Sequence, residues 1–254
     1  QIERLKKGPE ILIGTPGRIF ELIKLKKIKM MSVNTIVLDE YDELLGDSQY
    51  DFVQKISHYV PRDHQMVYMS ATNKVDQTSL APNTFCIDLS EQTNDAIQHF
   101  YLMVDKRERT DLLRKFANIP HFRALVFFNS LSDLGATEER LQYNGAAAVS
   151  LASDINVKFR KTILEKFKSH QLSLLLATDL VARGIDIDNL DYVIHFDVAR
   201  DKENYTHRAG RTGRMGKSGI VITFVSHPED LKKLKKFAKV SEISLKNQQL
   251  HFIN

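Results

Sequence analysis

An α/β chain organised as two domains is what this sequence predicts, and three observations predict it. Short apolar runs alternate with stretches of helical periodicity. The runs are continuously apolar rather than alternating, and a polar interval near residue 90 separates an acidic part from a basic one. Continuously apolar strands with helices between them are the mark of βα units around a parallel sheet covered on both faces.

The strands are expected, in order, at residues 10–13, 35–38, 66–69 and 85–89, then at 124–128, 146–151, 173–177, 192–196 and 219–225. Between them lie amphipathic stretches. In residues 157–170, Phe159, Ile163, Leu164 and Phe167 recur at helical spacing on one core-facing stripe. Residues 90–95 have no hydrophobic period, so domains are expected at 1–90 and 96–254 with 91–95 as the linker. A basic helix over 229–239 places Leu231, Leu234, Phe237 and Ala238 on one face, which fits a closing helix docked on the second sheet.

Composition bounds the rest. The 254 residues carry 36 Lys+Arg against 32 Asp+Glu, with 43% apolar and 27% charged residues, which excludes a disordered or fibrous chain. Residues 1–95 hold 11 basic and 14 acidic side chains, and residues 96–254 hold 25 and 18. A basic second part suits an anionic partner such as nucleic acid, and equally a plain solvated surface. The single cysteine, Cys86, excludes an intramolecular disulfide framework and a cysteine zinc site and is compatible with a reducing compartment. No apolar run approaches the ~18 residues of a membrane span. The chain opens at Gln1 rather than Met, from which a processed chain or a piece of a longer one is expected.

Two clusters carry chemistry. The run Ile36-Val37-Leu38 ends in Asp39 and Glu40, and ligands of parallel sheets bind outside the carboxyl ends of strands. One carboxylate there can hold hydrated Mg²⁺ while the next orients or deprotonates a water; a solvated loop reads the same way. His207-Arg208-Ala209-Gly210-Arg211-Thr212-Gly213-Arg214 interleaves cationic side chains with glycine, and clustered guanidinium forks suit phosphate. His207 is not read as a metal ligand, because no partner lies near it at metal spacing. Ala177-Thr178-Asp179 through Arg183-Gly184-Ile185-Asp186, Thr15-Pro16-Gly17-Arg18 and Ser70-Ala71-Thr72 are further polar or small clusters at strand ends.

In this order the clusters resemble the motifs of a DEAD-box RNA helicase of superfamily 2. Asp39-Glu40-Tyr41-Asp42 matches the motif that names the family, and Ser70-Ala71-Thr72 the next. Residues 177–186 and 207–214 resemble diagnostic motifs of the second domain, and Phe127-Phe128-Asn129-Ser130 one that faces RNA. The resemblance implies two RecA-like parallel-sheet domains, the first incomplete at its N-terminus, and ATP and Mg²⁺ as cofactors. It implies that Asp39 holds Mg²⁺ through water, Glu40 positions the attacking water, Arg211 and Arg214 act on the γ-phosphate, and Asp186 contacts the ribose. Asp42, Ser70, Thr72, His207 and Arg208 would couple nucleotide state to domain closure. Thr15, Arg18, Ser130, Arg160, Thr178 and Gly184 would line an RNA backbone track. A monomeric, cytoplasmic RNA-binding ATPase without a membrane partner is the expectation.

The sequence departs from the family pattern in places. Tyr41 stands where the family has alanine, Val157-Lys158-Phe159-Arg160 keeps only the arginine of a Gln-x-x-Arg signature, and Ala152-Ser153-Asp154 replaces His-Gly-Asp. No two glycines lie five positions apart, so these residues contain no G-x-x-x-x-G-K-[ST] phosphate loop. The chain alone is therefore expected to be inactive as an ATPase within an active parent. A non-catalytic RNA-binding or scaffold module is the alternative, and a DNA translocase of the same superfamily fits less well.

Overall fold

The computed structural model describes residues 1–44, 49–70, 80–88, 96–151, 157–182, 190–213 and 217–252. The chain divides into two compact units, residues 1–88 and 89–254.

The first unit contains α1 (Ile2–Leu5), α2 (Pro16–Lys24), a 3-10 turn (Met30–Ser32), β1 (Thr35–Leu38), α3 (Tyr41–Leu44), α4 (Gln49–Ser57) and β2 (Gln65–Tyr68). β1 and β2 pair in parallel, from Thr35 against Gln65 to Leu38 against Tyr68. Leu38, Tyr41 and Val53 form the centre of the unit, with Ile36, Met66 and Tyr68 packed on them. Two expected strands do not form. Residues 10–13 and 85–88 are irregular, with Ile13 and Phe85 exposed to solvent. A strand needs a neighbour to take its N–H and C=O groups, and neither run has one among the described residues. Leu89, the last residue of the second run, lies outside the described residues.

The second unit runs β3 (Ile97–Met103), α5 (Arg109–Ala117), β4 (Ala124–Phe128), α6 (Leu131–Tyr143), β5 (Ala148–Ser150), α7 (Val157–Lys168), β6 (Leu174–Thr178), α8 (Asp179–Ala182), β7 (Tyr192–His195), α9 (Lys202–Ala209), β8 (Gly219–Val225), α10 (Pro228–Leu234), β9 (Ser241–Lys246) and β10 (Gln249–Phe252). Its eight strands are ordered β10-β9-β3-β8-β7-β4-β6-β5, all parallel except the β9–β10 hairpin. Every residue of β4 is buried, because alternate side chains enter two cores. Leu125 and Phe127 join a core built with Phe167, Tyr205 and Leu234, from α7, α9 and α10. Ala124, Val126 and Phe128 join one built with Leu113, Phe116 and Leu141, from α5 and α6.

The closing helix docks as its apolar face requires, with Leu231, Leu234, Phe237 and Ala238 against the first of these cores. It ends at Leu234 rather than at 239, and turns over 235–237 lead into the hairpin, which the sequence pattern left unmarked. β3 is also unmarked, since Gln98 and His99 interrupt its apolar run. His99 Nδ1 lies 2.8 Å from the Tyr205 hydroxyl, and His195 Nδ1 lies 3.3 Å from that of Thr223.

Gly219 opens β8 where the turn after α9 presses on the sheet. A Cβ there would lie 2.4 Å from Thr212 Oγ1 and 2.5 Å from the Gly213 nitrogen. Thr212 is itself buried, its hydroxyl donating to the Leu190 carbonyl. Gly219→Ala is therefore expected to cost about 1–3 kcal/mol by overpacking, read by urea unfolding; an unchanged midpoint would contradict this close approach.

Burial, and next the nearby Arg208 charge, hold the His195 pKa well below the usual histidine value, and burial lowers that of His99. Below about pH 6.5 the unfolded chain takes up protons that the folded one refuses, so stability rises with pH through this range. Urea unfolding is expected to show stability flat above about pH 7.5 and falling below about pH 6.5. His195→Asn should flatten that slope, and an unchanged slope would assign it elsewhere.

Candidate functional site

The acidic loop of the first unit is built by pairing two parallel strands. Their carboxyl ends lie side by side, so Asp39 and Glu40 after β1 emerge at the same edge as Met69 and Ser70 after β2. The two ends are tied together: the Met69 N–H donates to the Leu38 carbonyl and the Tyr41 N–H to the Met69 carbonyl, both at 2.9 Å. Glu40 between these ties has φ +51°, a left-handed conformation that costs a non-glycine residue on the order of 1–3 kcal/mol. Asp39 Oδ1 accepts the Glu40 N–H at 3.0 Å and helps hold it there.

Asp39 is exposed and Glu40 half-buried, whereas Tyr41 is fully buried. The Tyr41 ring lies 4.8 Å from that of Tyr68 and 6.1 Å from that of Tyr50. This position, where the sequence departs from the family pattern, faces the core rather than the strand edge. Asp42 follows in α3, half-buried. Thr15 precedes α2, and Arg18 on that helix donates to Glu21 Oε2 at 2.6 Å and to Gln1 Oε1 at 2.9 Å.

In the second unit the carboxyl edge of the sheet carries a continuous polar chain. Arg208, on α9, is 1% exposed. Its guanidinium grips Asp179 with two bonds, Nε to Oδ1 at 2.6 Å and Nη2 to Oδ2 at 2.8 Å. Nη2 also donates to Asn129 Oδ1 at 2.6 Å, Nη1 donates to the Asp197 carbonyl at 3.2 Å, and the group sits 5.4 Å from the Phe127 ring centre. From Asn129 the chain continues, its N–H donating to Asp197 Oδ2 at 3.2 Å. Asp197 Oδ1 pairs with Arg109 Nη1 at 2.7 Å, and Arg109 Nη2 donates to Ser226 Oγ at 2.8 Å, which donates on to the Val104 carbonyl. These groups sit just past the ends of β6, β4, β7, β8 and β3.

Arg208 is thus buried, while His207 and Arg211 are half-buried. All three line a small pocket with Asp179, Asn204 and Phe127. α9 is started by Asp201, whose carboxylate accepts the Asn204 N–H at 2.8 Å, and it ends at Gly210. Ser130 caps α6, accepting the Ser132 and Asp133 N–H groups, and Thr178 ends β6 opposite Phe128. Arg160 Nη2 donates to the Val181 carbonyl at 3.0 Å. Thr72, Gly184, Asp186 and Arg214 lie outside the described residues.

Asn129, Asp179, Asp197 and Arg109 hold the site and were not among the expected site residues. A signal for them exists: a polar residue directly follows an apolar strand run at Asn129, Asp197 and Ser226, and Asp179 follows Thr178. Among the described residues no group of three or more His, Cys, Asp or Glu is arranged to hold a metal. Mg²⁺ does not need one, since it keeps several waters and takes one or two carboxylates with substrate phosphates. Asp39, an exposed oxygen donor at a strand end, fits that mode. The guanidinium of Arg211 fits the phosphates of a nucleotide.

Asp179→Ala would leave a buried guanidinium without its counter-charge. The second unit is expected to lose about 3–5 kcal/mol in urea unfolding, and a loss below about 1 kcal/mol would show that water reaches Arg208 instead.

Residues 1–80 match the model of the DEAD/DEAH box helicase family, and residues 108–216 match that of the helicase conserved C-terminal domain. The probable ATP-dependent RNA helicase YfmL of Bacillus subtilis is 40% identical over 251 residues, 96% of this chain and 66% of that protein. The DEAD-box ATP-dependent RNA helicase CshC of Bacillus cereus is 36% identical over 256 residues, 98% of this chain and 65% of that protein. The chain thus spans just under two thirds of the length of these relatives. Among solved structures, S. cerevisiae Dbp5 bound to RNA and ADP BeF3 superposes with a TM-score of 0.79 at 25% identity, covering 91% of this chain and 64% of that one. With both family models matched in order and the similarity running through almost its whole length, the chain belongs to the DEAD-box RNA helicases.

Proposed function

We propose that the chain is part of the core of an ATP-dependent RNA helicase, which couples ATP binding and hydrolysis to RNA duplex unwinding or ribonucleoprotein remodelling. The observation that carries this reading is the emergence of the acidic pair at the carboxyl ends of paired parallel strands, with Glu40 held in a strained conformation there.

Asp39 would hold Mg²⁺ through water, and Glu40 would orient the attacking water and accept its proton. Arg211 and Arg214 would meet the charge that develops on the γ-phosphate, and Asp186 would hold the ribose. ATP with Mg²⁺, when bound, supplies the phosphoryl group transferred to water. Asp42, Ser70, Thr72, His207 and Arg208 would make RNA affinity depend on nucleotide state, Arg208 by fixing the helix that carries His207. Thr15, Arg18, Ser130, Arg160, Thr178 and Gly184 would contact RNA sugars and phosphates, Arg18 exchanging Glu21 for a phosphate. Such contacts position a strand without reading its sequence. No described helix is long and apolar enough to cross a membrane, and the reading includes a monomeric cytoplasmic protein.

These 254 residues contain no phosphate loop of the G-x-x-x-x-G-K-[ST] type, so the chain alone is proposed to turn over ATP weakly or not at all. The same feature favours the second reading, a non-catalytic RNA-binding module. The full-length protein separates them. RNA-stimulated ATP hydrolysis is expected, falling by about 10²-fold or more in Glu40→Gln and Arg211→Ala. Turnover unaffected by either substitution would sink the catalytic assignment, and RNA binding without hydrolysis would select the second reading. For the chain itself, RNA affinity should fall steeply as salt is raised.

A further inference from the structure

Helix α10 turns one side to the core and shows lysines on the other. Leu231 and Leu234 pack on the first core of the second unit, and the Phe237 ring lies 5.9 Å from that of Tyr205 on α9. The turns after Leu234 keep the helical winding, since the Lys235 N–H donates to the Leu231 carbonyl and the Ala238 N–H to that of Leu234. Lys232, Lys235 and Lys236 therefore share one side, at i, i+3 and i+4. All three are exposed, and the exposed Lys239 follows them.

Local structure does not account for this row. Residues 228–239 hold five lysines against Glu229 and Asp230. Among the described residues none of the five pairs with a carboxylate. A helix C-terminus carries the equivalent of about half a charge, which a single lysine answers, and Lys232 and Lys236 repel each other at i,i+4. The row also lies away from the RNA track assigned above. α10 follows β8, whereas Ser130 and Thr178 stand at the ends of β4 and β6, with β7 between those strands and β8.

The chemistry of the row selects its partner. No large apolar side chain is exposed within residues 228–239, so the row lacks the apolar anchor on which a protein interface centres, and lysine is depleted there. A membrane-surface helix needs a free apolar face, and here that face is packed on the core. Neighbouring point charges on flexible stems suit the phosphates of a nucleic-acid backbone.

We infer that Lys232, Lys235 and Lys236 form a second contact for RNA phosphates, outside the track, so that a long RNA is held at two places. The inference rests on the RNA-binding reading above and extends it.

The test uses anisotropy with the 254-residue chain and two fluorescein-labelled strands, a hexauridylate and a polyuridylate of about 30 nucleotides. Replacing the three lysines by glutamine should weaken binding of the long strand on the order of tenfold and leave the hexauridylate as before. The log–log salt slope for the long strand should fall by about 2, at ~0.7 for each lost phosphate contact, and by about 0.7 in Lys236→Gln alone. Arginine at all three positions should keep the native slope. An unchanged slope, or an equal loss on both strands, overturns the second contact and leaves the RNA-binding reading standing. Poly-L-glutamate that displaces the long strand as well as unlabelled polyuridylate of equal charge would make the row a site for acidic protein and overturn the assignment to RNA. Binding of neither strand overturns the reading and the inference together.

Discussion

A guanidinium sealed from water fixes much of the second unit. Arg208 retains its charge inside the protein, so each face of its fork must meet oxygen or a π cloud, and Asp179, Asn129, the Asp197 carbonyl and Phe127 supply them. Those partners come from the ends of three different strands, so the network is also a clamp on strand register. Asp197 extends it to Arg109 and Ser226, linking α5 and β8 to the same edge. The outward chemistry inherits its geometry from this inward one. With Arg208 pinned, α9 cannot turn about its axis, and His207 and Arg211 hold their places at the pocket.

The first unit uses the same device with different chemistry. Tyr41 is buried among aromatic rings, and its neighbour Glu40 is thereby presented at the strand edge in a conformation it would not adopt alone. Thr212 does likewise for Arg211, buried under the start of β8 with its hydroxyl on the Leu190 carbonyl. In each case a side chain proposed to act on ATP sits next in sequence to one that is locked. A site on loops acquires in this way the rigidity usually credited to helices and strands.

Much of this was legible from residue order. The buried parallel strands announce themselves as continuous apolar runs, as at 124–128, because both of their faces are covered. The acidic pair and the arginine–glycine run stand out by composition. What stayed hidden depends on partners distant in sequence. A run such as 10–13 has strand composition yet forms no strand, since composition carries no information about a neighbour. β3 was masked by His99, whose polarity is answered by Tyr205 more than a hundred residues later. Periodicity placed Phe159 on the core stripe, yet it is 69% exposed, because periodicity cannot tell where the sheet beneath a helix ends. Arg208 looked like one more cation of a phosphate-facing cluster, and only the fold shows it turned inward. Gly219 reads as an ordinary strand start until Thr212 is seen against it.

The position of β3 bears on how the protein is made. It is the first strand of the second unit, yet it lies between β8 and β9, with Phe100 opposite both Ile222 and Ser241. A nascent chain emerging from the ribosome must keep this strand unpaired while more than a hundred further residues are synthesised. Its loop closure is long-range, which slows folding, and its open edges are exposed to other chains for that interval. Slower synthesis or chaperone capture over residues 97–246 is therefore expected to alter the yield of folded protein.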